Sequence, residues 1–403
     1  MRILSLYILL LVPTLSYTQL LNNSSLYFLD SATQIINIQG QSYLGSTHLP
    51  LNFAKIFYTG GFIDDNMINK ANSGLSNLNR TGYESSFNIT YLNYRPSILK
   101  KYGYYLNISA LFSGGAEYTD DFFRGVFQGN TSYKGEYINL QQSGFHTRSY
   151  RSIESGIITK KFKVGLCYTN IQSEINSQIY EGGIDISPNA TQIQGNFNGY
   201  ATSSNNSSNF PTNNWGLTIN FEITNKINRL DSSSNARIIA GINGFGIQKL
   251  SNSSYLYLDT TISYTGIPVY EISDFNTPFL PNYNIDSLSR ISTQINAFPF
   301  ELYVHKVGGK KTAKLHSCYG LRYRSNSNYS VLIYAGGEYH FKNHFTLGSI
   351  ISYGGYSGVN NGLYIRYQSK KIISSINTNN LVGIFWNQSK AIGLNLSLSY
   401  LIQ

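Results

Sequence analysis

The sequence predicts an all-β fold, a transmembrane antiparallel up-and-down β-barrel of about 14 strands with one or two short helices. Three observations lead to this prediction. The last segment, residues 392–402, alternates long apolar residues with mostly small or polar ones at a period of two. Charged residues make up only 12% of the chain, whereas aromatic residues reach 14%. The first 18 residues have the features of an export signal.

The export signal begins with a positive charge at Arg2, followed by an apolar core over residues 3–12. Ser16 and Thr18 are small residues at the two positions that a signal peptidase inspects. Pro13 ends the apolar run well short of the roughly 18 apolar residues that a membrane-spanning helix needs. We therefore expect cleavage after residue 18, with residues 1–18 as signal peptide and residues 19–403 as a single outer-membrane barrel domain.

Composition separates the chain from ordinary soluble proteins, in which charged residues account for about 25%. The chain has 34 Tyr but only 9 Pro. Tyrosine and glycine in place of charge suit a barrel with an apolar outer wall, aromatic girdles and an inner wall of small polar residues. The mean hydropathy of −0.19 argues against a helical membrane protein. It is compatible with a barrel, because alternation averages the two faces.

The net charge of +10 raises the question of nucleic-acid binding. The basic residues are scattered, however, and no stretch of them forms a basic stripe. Four lysine doublets occur at positions 100–101, 160–161, 310–311 and 370–371. We interpret them as solvated turns or strand ends and expect no nucleic-acid partner.

Period-two alternation recurs through the body of the chain, with almost no helical pattern between the alternating segments. The clearest segments are residues 102–112, 162–169, 215–222, 315–324 and 363–368. One such segment would suit a half-buried strand of a soluble β-sandwich equally well, but their number favours a barrel. At about 27 residues per hairpin, the mature chain predicts 12 to 16 strands, even in number because both chain ends should lie in the periplasm.

Two segments interrupt the alternation. Residues 120–130 begin with Asp120 and Asp121, which could cap a short helix, although an irregular turn is also compatible. The second segment is residues 276–296, in which residues 286–291 could cap a second short helix. Residues 64–79 and 200–214, rich in Asn, Ser and Gly, are predicted to be loops.

Several short motifs are distributed along the chain. Residues 122–130 precede predicted strands at 133–140 and 150–158 and the motif at 162–166, and residues 298–303 and 380–383 follow. This set resembles a Bacteroidota family of outer-membrane barrels known only as a domain of unknown function. An Asn-Pro-Ala signature near the mature N-terminus is absent, and the chain ends in Ile402-Gln403 instead of an aromatic residue. The resemblance implies an outer-membrane barrel, and related barrels accompany gliding and type IX secretion machinery.

The polar register of the predicted strands selects the residues that should line the lumen. The candidates are Arg322, Arg324, Arg366, Glu338, His316, Cys167 and Cys318. The three arginines would form the filter of a porin, with Glu338 as a counter-charge. Large side chains in the same register could instead fill the lumen; they are Tyr105, Tyr255, Tyr257, Tyr334 and Tyr364. The two cysteines allow at most one disulfide, and none is predicted.

Catalytic and cofactor motifs do not stand out. The six histidines lie in no nucleophile motif and Gly-x-Ser-x-Gly is absent. His340 and His344 flank a predicted turn, with no carboxylate or thiol at ligand spacing. The Gly336-Gly337 and Gly354-Gly355 pairs lack the lysine of a phosphate-binding loop. We expect no enzyme, no cofactor and no metal.

Three functional hypotheses follow. The first is a mostly occluded structural or partner-binding component of an envelope assembly, located in the outer membrane in contact with its lipid. The second is a porin or a transporter of small or hydrophobic molecules. The third is a secreted soluble β-rich adhesin, which would need to pack its apolar strand faces against each other.

Overall fold

The computed structural model describes residues 33–98, 101–129, 133–189, 191–205, 213–227, 234–265, 289–310, 312–341, 344–386 and 388–402. The predicted signal peptide lies outside these residues. The described helices are α1 (Leu51–Thr59), α2 (Asp65–Asn72), α3 (Asp120–Gln128) and α4 (Leu381–Phe385). None of these four helices is long and apolar enough to cross a membrane.

The described strands are β1 (Gln34–Ser46), β2 (Leu78–Ile98), β3 (Tyr102–Thr119), β4 (Tyr137–Asn139), β5 (Gly144–Ile158), β6 (Phe162–Ile186), β7 (Gln192–Asn205), β8 (Trp215–Lys226), β9 (Arg237–Thr265), β10 (Ser289–Ala297), β11 (Glu301–Val307), β12 (Leu315–Arg324), β13 (Ser330–His340), β14 (Phe345–Gly355), β15 (Gly358–Gln368), β16 (Ile372–Thr378) and β17 (Ala391–Ile402). All of their pairings are antiparallel.

Fourteen of these strands close into a barrel. Strand β1 pairs with β2 on one side and with β17 on the other, so the first and last strands seal the ring. The ring then runs through β3, β5, β6, β8, β9 and β11, and onward from β12 to β17. The predicted class, a closed antiparallel barrel of about 14 strands, is confirmed.

Alternation along each strand sorts side chains between the two walls. In β17, Leu398 and Tyr400 are exposed on the outside, whereas Asn395 and Ser399 are buried on the inside. The alternating segments predicted at 102–112, 162–169, 215–222, 315–324, 363–368 and 392–402 all lie within strands of the ring. The period of two in the sequence therefore identifies the wall toward which each side chain points.

One side of the barrel wall continues beyond the ring. Strands β6 and β9 have 25 and 29 residues, about twice the length of most others. Strand β7 continues the line of β8 between them, and β10 continues the line of β11 along β9. The predicted loop at 200–214 is therefore partly wrong, because residues 200–205 belong to β7. Tyr255 and Tyr257 were predicted to face the lumen, but they lie in this extension.

The helices differ in number from the prediction. Residues 120–128 do form α3, but the N-cap is Thr119, whose hydroxyl accepts from the Phe122 amide at 3.1 Å. The predicted loop at 64–79 contains α2, capped by Asp64. In the second predicted helix, residues 289–291 belong to β10 and residues 286–288 lie outside the described chain. The described residues thus contain four short helices, more than the one or two predicted.

The two ends of the barrel are different. Gln34 and Ile402 meet at one end, here called the terminal end, where short turns connect β5 to β6 and β15 to β16. Exposed lysines occupy the described turns there, namely Lys101, Lys160, Lys161, Lys310, Lys370 and Lys371. Lys100 and Lys311 lie outside the described residues. The opposite end, here called the loop end, carries the four helices and the sheet extension.

The outer wall is apolar, with aromatic pairs near both ends. Tyr91 packs against Tyr104 towards the terminal end, with ring centroids 5.8 Å apart, and Tyr83 packs against Phe112 nearer the loop end at 5.1 Å. At about 3.3 Å per residue and a tilt of about 40°, the stretch from residue 102 to residue 112 corresponds to roughly 25 Å of barrel height. That matches the apolar band of a membrane barrel.

Candidate functional site

The predicted lumen residues lie on the inner face of the barrel. His316, Cys318, Arg322 and Arg324 alternate along β12 with exposed Leu315, Tyr319, Leu321 and Tyr323. Glu338 on β13 and Arg366 on β15 are buried on the same inner face, and Cys167 on β6 lines the central cavity. The two cysteines are free and buried. The structure also shows which residues these side chains contact, and the sequence did not predict those contacts.

The central contact is an ion pair across the lumen. Arg324 on β12 binds the Glu84 carboxylate on β2 through both terminal nitrogens, and one of these contacts spans 3.1 Å. Its Nε donates to Glu301 Oε2 at 2.8 Å, and Arg322 Nε lies 3.5 Å from the other Glu301 oxygen. The ring of Tyr329 stacks 4.9 Å from the Arg324 guanidinium. This network joins opposite walls of the barrel near the loop end.

The ion pair shows that the barrel is flattened. A circular ring of 14 strands, spaced about 4.8 Å apart and tilted about 40°, would be roughly 28 Å across. One arginine and one glutamate together cannot span that distance. The outer wall is also concave, with a groove of about 920 Å³ whose lining includes Gly40, Ala110 and Arg151. Small residues on the outside of β1 and β3 contribute to this groove.

The connection between β12 and β13 folds into the lumen beside this ion pair. Asn328 Oδ1 lies 2.7 Å from Nδ1 of His146 on β5, and the Asn326 carbonyl accepts from Arg148. Asn326 has a φ of 47°, a left-handed conformation that asparagine tolerates better than most residues. Arg148 Nε also lies 3.6 Å from Glu174. A five-residue turn therefore closes part of the loop end from inside.

Two apolar clusters occupy the terminal half of the lumen. The first cluster comprises Ile35, Leu92, Tyr105, Ile158, Ile373 and Leu401, and the second comprises Ile239, Val307, Cys318, Tyr334, Ile350 and Tyr364. Each takes one side chain from each of six strands. Tyr105, Tyr334 and Tyr364 are between 1% and 5% exposed. These three of the five tyrosines predicted to face inward do fill lumen space.

Charged residues between the clusters are paired with tyrosines. Tyr105 donates to Glu154, and the Lys163 ammonium lies 3.5 Å from the same carboxylate and 4.2 Å from the Tyr105 ring centre. The Tyr303 hydroxyl donates to Glu222 at 2.6 Å. A cavity of about 420 Å³ remains along the lumen, bounded on one side by amides and hydroxyls of β1 to β3 and on the other by Glu301 and Arg322.

The structure brings together a second polar group at the terminal end. Nε2 of His340 lies 2.9 Å from Nδ1 of His316, and Arg366 Nη2 lies 3.2 Å from Glu338 Oε2. His344, which flanks the same predicted turn as His340, is exposed and lies outside this group. Inward register alone could have identified Glu84 and Glu301 as lumen residues. It could not have identified their partners.

No family model and no curated protein matches the sequence. Among solved structures, the translocator domain of autotransporter NalP from Neisseria meningitidis aligns over 94% of this chain and 92% of its own, with 7% identity and a TM-score of 0.34. A TodX mutant monoaromatic hydrocarbon channel aligns over the same shares, with 11% identity and a TM-score of 0.33. The β domain of the Bordetella autotransporter BrkA covers 92% of this chain and 98% of its own, with 8% identity and a TM-score of 0.28. These similarities are too low to assign a function, which must be inferred from the geometry of this chain.

Proposed function

We propose that this chain is an outer-membrane β-barrel with a mostly occluded lumen that binds a partner in an envelope assembly. One observation carries the proposal: side chains from opposite walls meet inside the barrel. The Arg324–Glu84 pair crosses the lumen near the loop end, and the two apolar clusters occupy its terminal half. A general porin instead keeps a wide lumen between opposed rows of charge.

The outer wall supports a membrane location. Large apolar side chains such as Leu166, Phe245 and Ile351 are at least 60% exposed on the outside of the ring. A soluble protein seldom exposes a continuous apolar belt of this kind. The alternative of a soluble adhesin required these faces to pack against each other, and in the closed ring they point away from each other. Lipid would cover this belt.

The loop end offers a surface for a protein partner. Strand β10 is exposed along almost its whole length, with Ile291 76% and Ile295 67% exposed. β10 pairs with β9, and no other described strand covers its second edge, which is the edge we propose for pairing with a strand of the partner. The extension formed by β6, β7, β9 and β10 carries this edge beyond the barrel.

Two measurements test the proposal. A folded membrane barrel should need detergent for extraction and should migrate faster on a gel unheated than boiled. Reconstituted into a planar bilayer, the purified protein should give no stable conductance. Stable, large, ohmic single-channel steps would contradict occlusion and favour the porin hypothesis.

A second candidate function is transport of a small molecule, favoured by the central cavity of about 420 Å³. Its polar lining suits a polar solute better than a hydrocarbon. Crosslinking in intact cells, followed by identification of the attached proteins, separates the two candidates. Recovery of gliding or type IX secretion components would support the partner class that the family resemblance implies.

A further inference from the structure

Three potential metal ligands lie together inside the barrel at the terminal end. His316 and Glu338 are directly opposite each other in the paired strands β12 and β13, and His340 follows two residues after Glu338 on the same face. One ligand atom from each lies within 4.8 Å of the other two. Two imidazoles and one carboxylate are a donor set found in zinc sites with an open coordination position.

Hydrogen bonds at His316 leave the required ring nitrogen available. Its Nε2 lies 2.9 Å from the carbonyl oxygen of Lys310. A carbonyl can only accept, so Nε2 carries the proton and Nδ1 presents a lone pair. Histidines that bind a metal usually donate the N–H of their other ring nitrogen to a carbonyl, a carboxylate or water, as His316 does to Lys310.

The Thr346 hydroxyl contacts the far ring nitrogen of His340. Its Oγ1 lies 3.1 Å from Nδ1 of His340, while Nε2 of His340 donates to His316 Nδ1 over 2.9 Å. A hydroxyl can donate or accept, so Thr346 is compatible with either tautomer of His340. If the proton of His340 is on Nδ1, the Thr346 hydroxyl accepts a hydrogen bond from it. Nε2 of His340 and Nδ1 of His316 then both present lone pairs to the ion.

The carboxylate of the proposed site is buried and held in a fixed position. Glu338 is 2% exposed, and its carboxylate accepts a hydrogen bond from the Tyr364 hydroxyl. A buried carboxylate is costly unless positive charge lies close to it, and a bound cation would add such charge. Glu338 Oε2 lies 3.5 Å from His340 Nε2 and 3.2 Å from Arg366 Nη2, so Arg366 also holds the carboxylate in place.

The spacing fits a tetrahedral ion. Zinc–ligand bonds of about 2.0–2.1 Å place neighbouring ligands roughly 3.3 Å apart. The His316–His340 and His340–Glu338 separations of 2.9 and 3.5 Å lie on either side of that value. The third separation is at most 4.8 Å, so side-chain movements of roughly 1.5 Å complete the geometry.

We propose that His316, Glu338 and His340 bind a divalent cation of borderline softness, of which Zn²⁺ is the representative, with water in the fourth position. Both histidines are half-exposed, so the ion enters from the terminal end. It joins β12 to β13 at the end where no turn connects them. Because the ion binds only the folded ring, it raises the stability of the barrel by mass action.

The test uses the full mature chain without a polyhistidine tag, refolded in detergent. A Cys167→Ser/Cys318→Ser background removes competing thiols. Calorimetric titration with ZnCl₂ should show one site per chain, and Zn²⁺ should raise the unfolding temperature. His316→Ala and His340→Ala should each weaken binding at least about 10-fold, because each removes a ligand.

Thr346 provides a sharper variant, since it touches no metal in the proposed site. Thr346→Val should weaken Zn²⁺ binding about 10- to 100-fold, and Thr346→Ser should restore it. His344→Ala is the matched control: it removes a nearby exposed histidine and should leave affinity unchanged. Faster migration of unheated samples verifies that each variant is folded.

Three results would overturn the proposal. The first is no Zn²⁺ binding by the parent protein. The second is equal Zn²⁺ affinity in a folded His316→Ala/His340→Ala variant. The third is loss of binding in His344→Ala, which would place the ion at the exposed turn.

Discussion

Arg324 on β12 and Glu84 on β2 are bonded to each other although their strands lie on opposite sides of the ring. Seven strand positions separate them in either direction around the 14-stranded barrel. Both side chains are mostly buried, with exposed fractions of 16% and 6%. Their contact holds the barrel in a flattened cross-section and divides the lumen.

This pair should contribute strongly to stability. Removing one partner of a buried ion pair costs about 3–5 kcal/mol, because the remaining charge is uncompensated. Glu301 still contacts Arg324, so Glu84→Gln is expected at the lower end of that range. Urea-dependent loss of the fast-migrating gel band measures the effect.

The control for Glu84→Gln is Asp120→Asn in the exposed pair of Asp120 with Arg124, whose separation is 3.5 Å. That change should cost no more than about 1 kcal/mol. Equal effects of the two substitutions would show that the lumen pair is solvated and not structural.

The apolar clusters should account for a silent lumen. The triple variant Tyr105→Ala/Tyr334→Ala/Tyr364→Ala removes the largest side chains of both clusters. We expect it to give single-channel steps in a planar bilayer where the parent gives none. The matched control is Tyr91→Ala/Tyr104→Ala, which removes two tyrosines from the outer wall. Silence of a folded triple variant would place the block elsewhere, at the Arg324–Glu84 pair or the inward turn.

His48 should make the loop end sensitive to acid. It is 2% exposed, packs edge-on against Phe123 with ring centroids 5.1 Å apart, and its Nε2 has no hydrogen-bond partner in the described chain. Burial, together with the nearby Lys390, lowers the pKa of His48 from 6.5 to about 4. The folded state therefore binds fewer protons than the unfolded state between these values.

Because the pKa of His48 is lower in the folded state, its contribution to the free energy of unfolding is fully present above pH 6.5 and is lost as the pH falls towards 4. The total loss is about 3 kcal/mol. Protection factors in α3, which are exchange rates corrected for the intrinsic pH dependence of amide exchange, should be lower at pH 5 than at pH 7.5 in the parent. His48→Phe should remove most of that difference. An unchanged difference in the variant would assign the acid sensitivity to another group.

Arg151 should weaken the barrel in lipid. It is exposed on the outer wall at the midpoint of β5, opposite Ala110 of β3 in the register. An arginine facing lipid costs about 2–4 kcal/mol at the membrane midplane and about 0–1 kcal/mol near the interface. Ala110 lies towards the loop-end limit of the apolar band at residues 102–112, so Arg151→Leu should raise the unfolding free energy in lipid vesicles by about 1–2 kcal/mol, whereas Arg151→Lys should change it little. A decrease with Arg151→Leu would show that the guanidinium binds a polar group on the outer wall.

The sequence by itself determined the walls of this barrel. Period-two alternation, as in residues 392–402, assigns each side chain to lipid or lumen before any partner is known, because successive residues of a strand point to opposite faces. It also predicted the strand number within a narrow range. It failed where pairing outweighed local preference. Residues 289–291 were predicted as helix, but the long strand β9 offers an edge on which β10 forms.

Only the tertiary structure decided which inward side chains meet. His316 and Glu338 are 22 positions apart in the chain and become neighbours through the register of β12 on β13. Glu84 and Arg324 meet because the ring closes and then flattens, which no local pattern encodes. The physical reason is that side-chain direction is a property of each strand, whereas contacts across a lumen depend on strand number, register and the shape of the closed sheet.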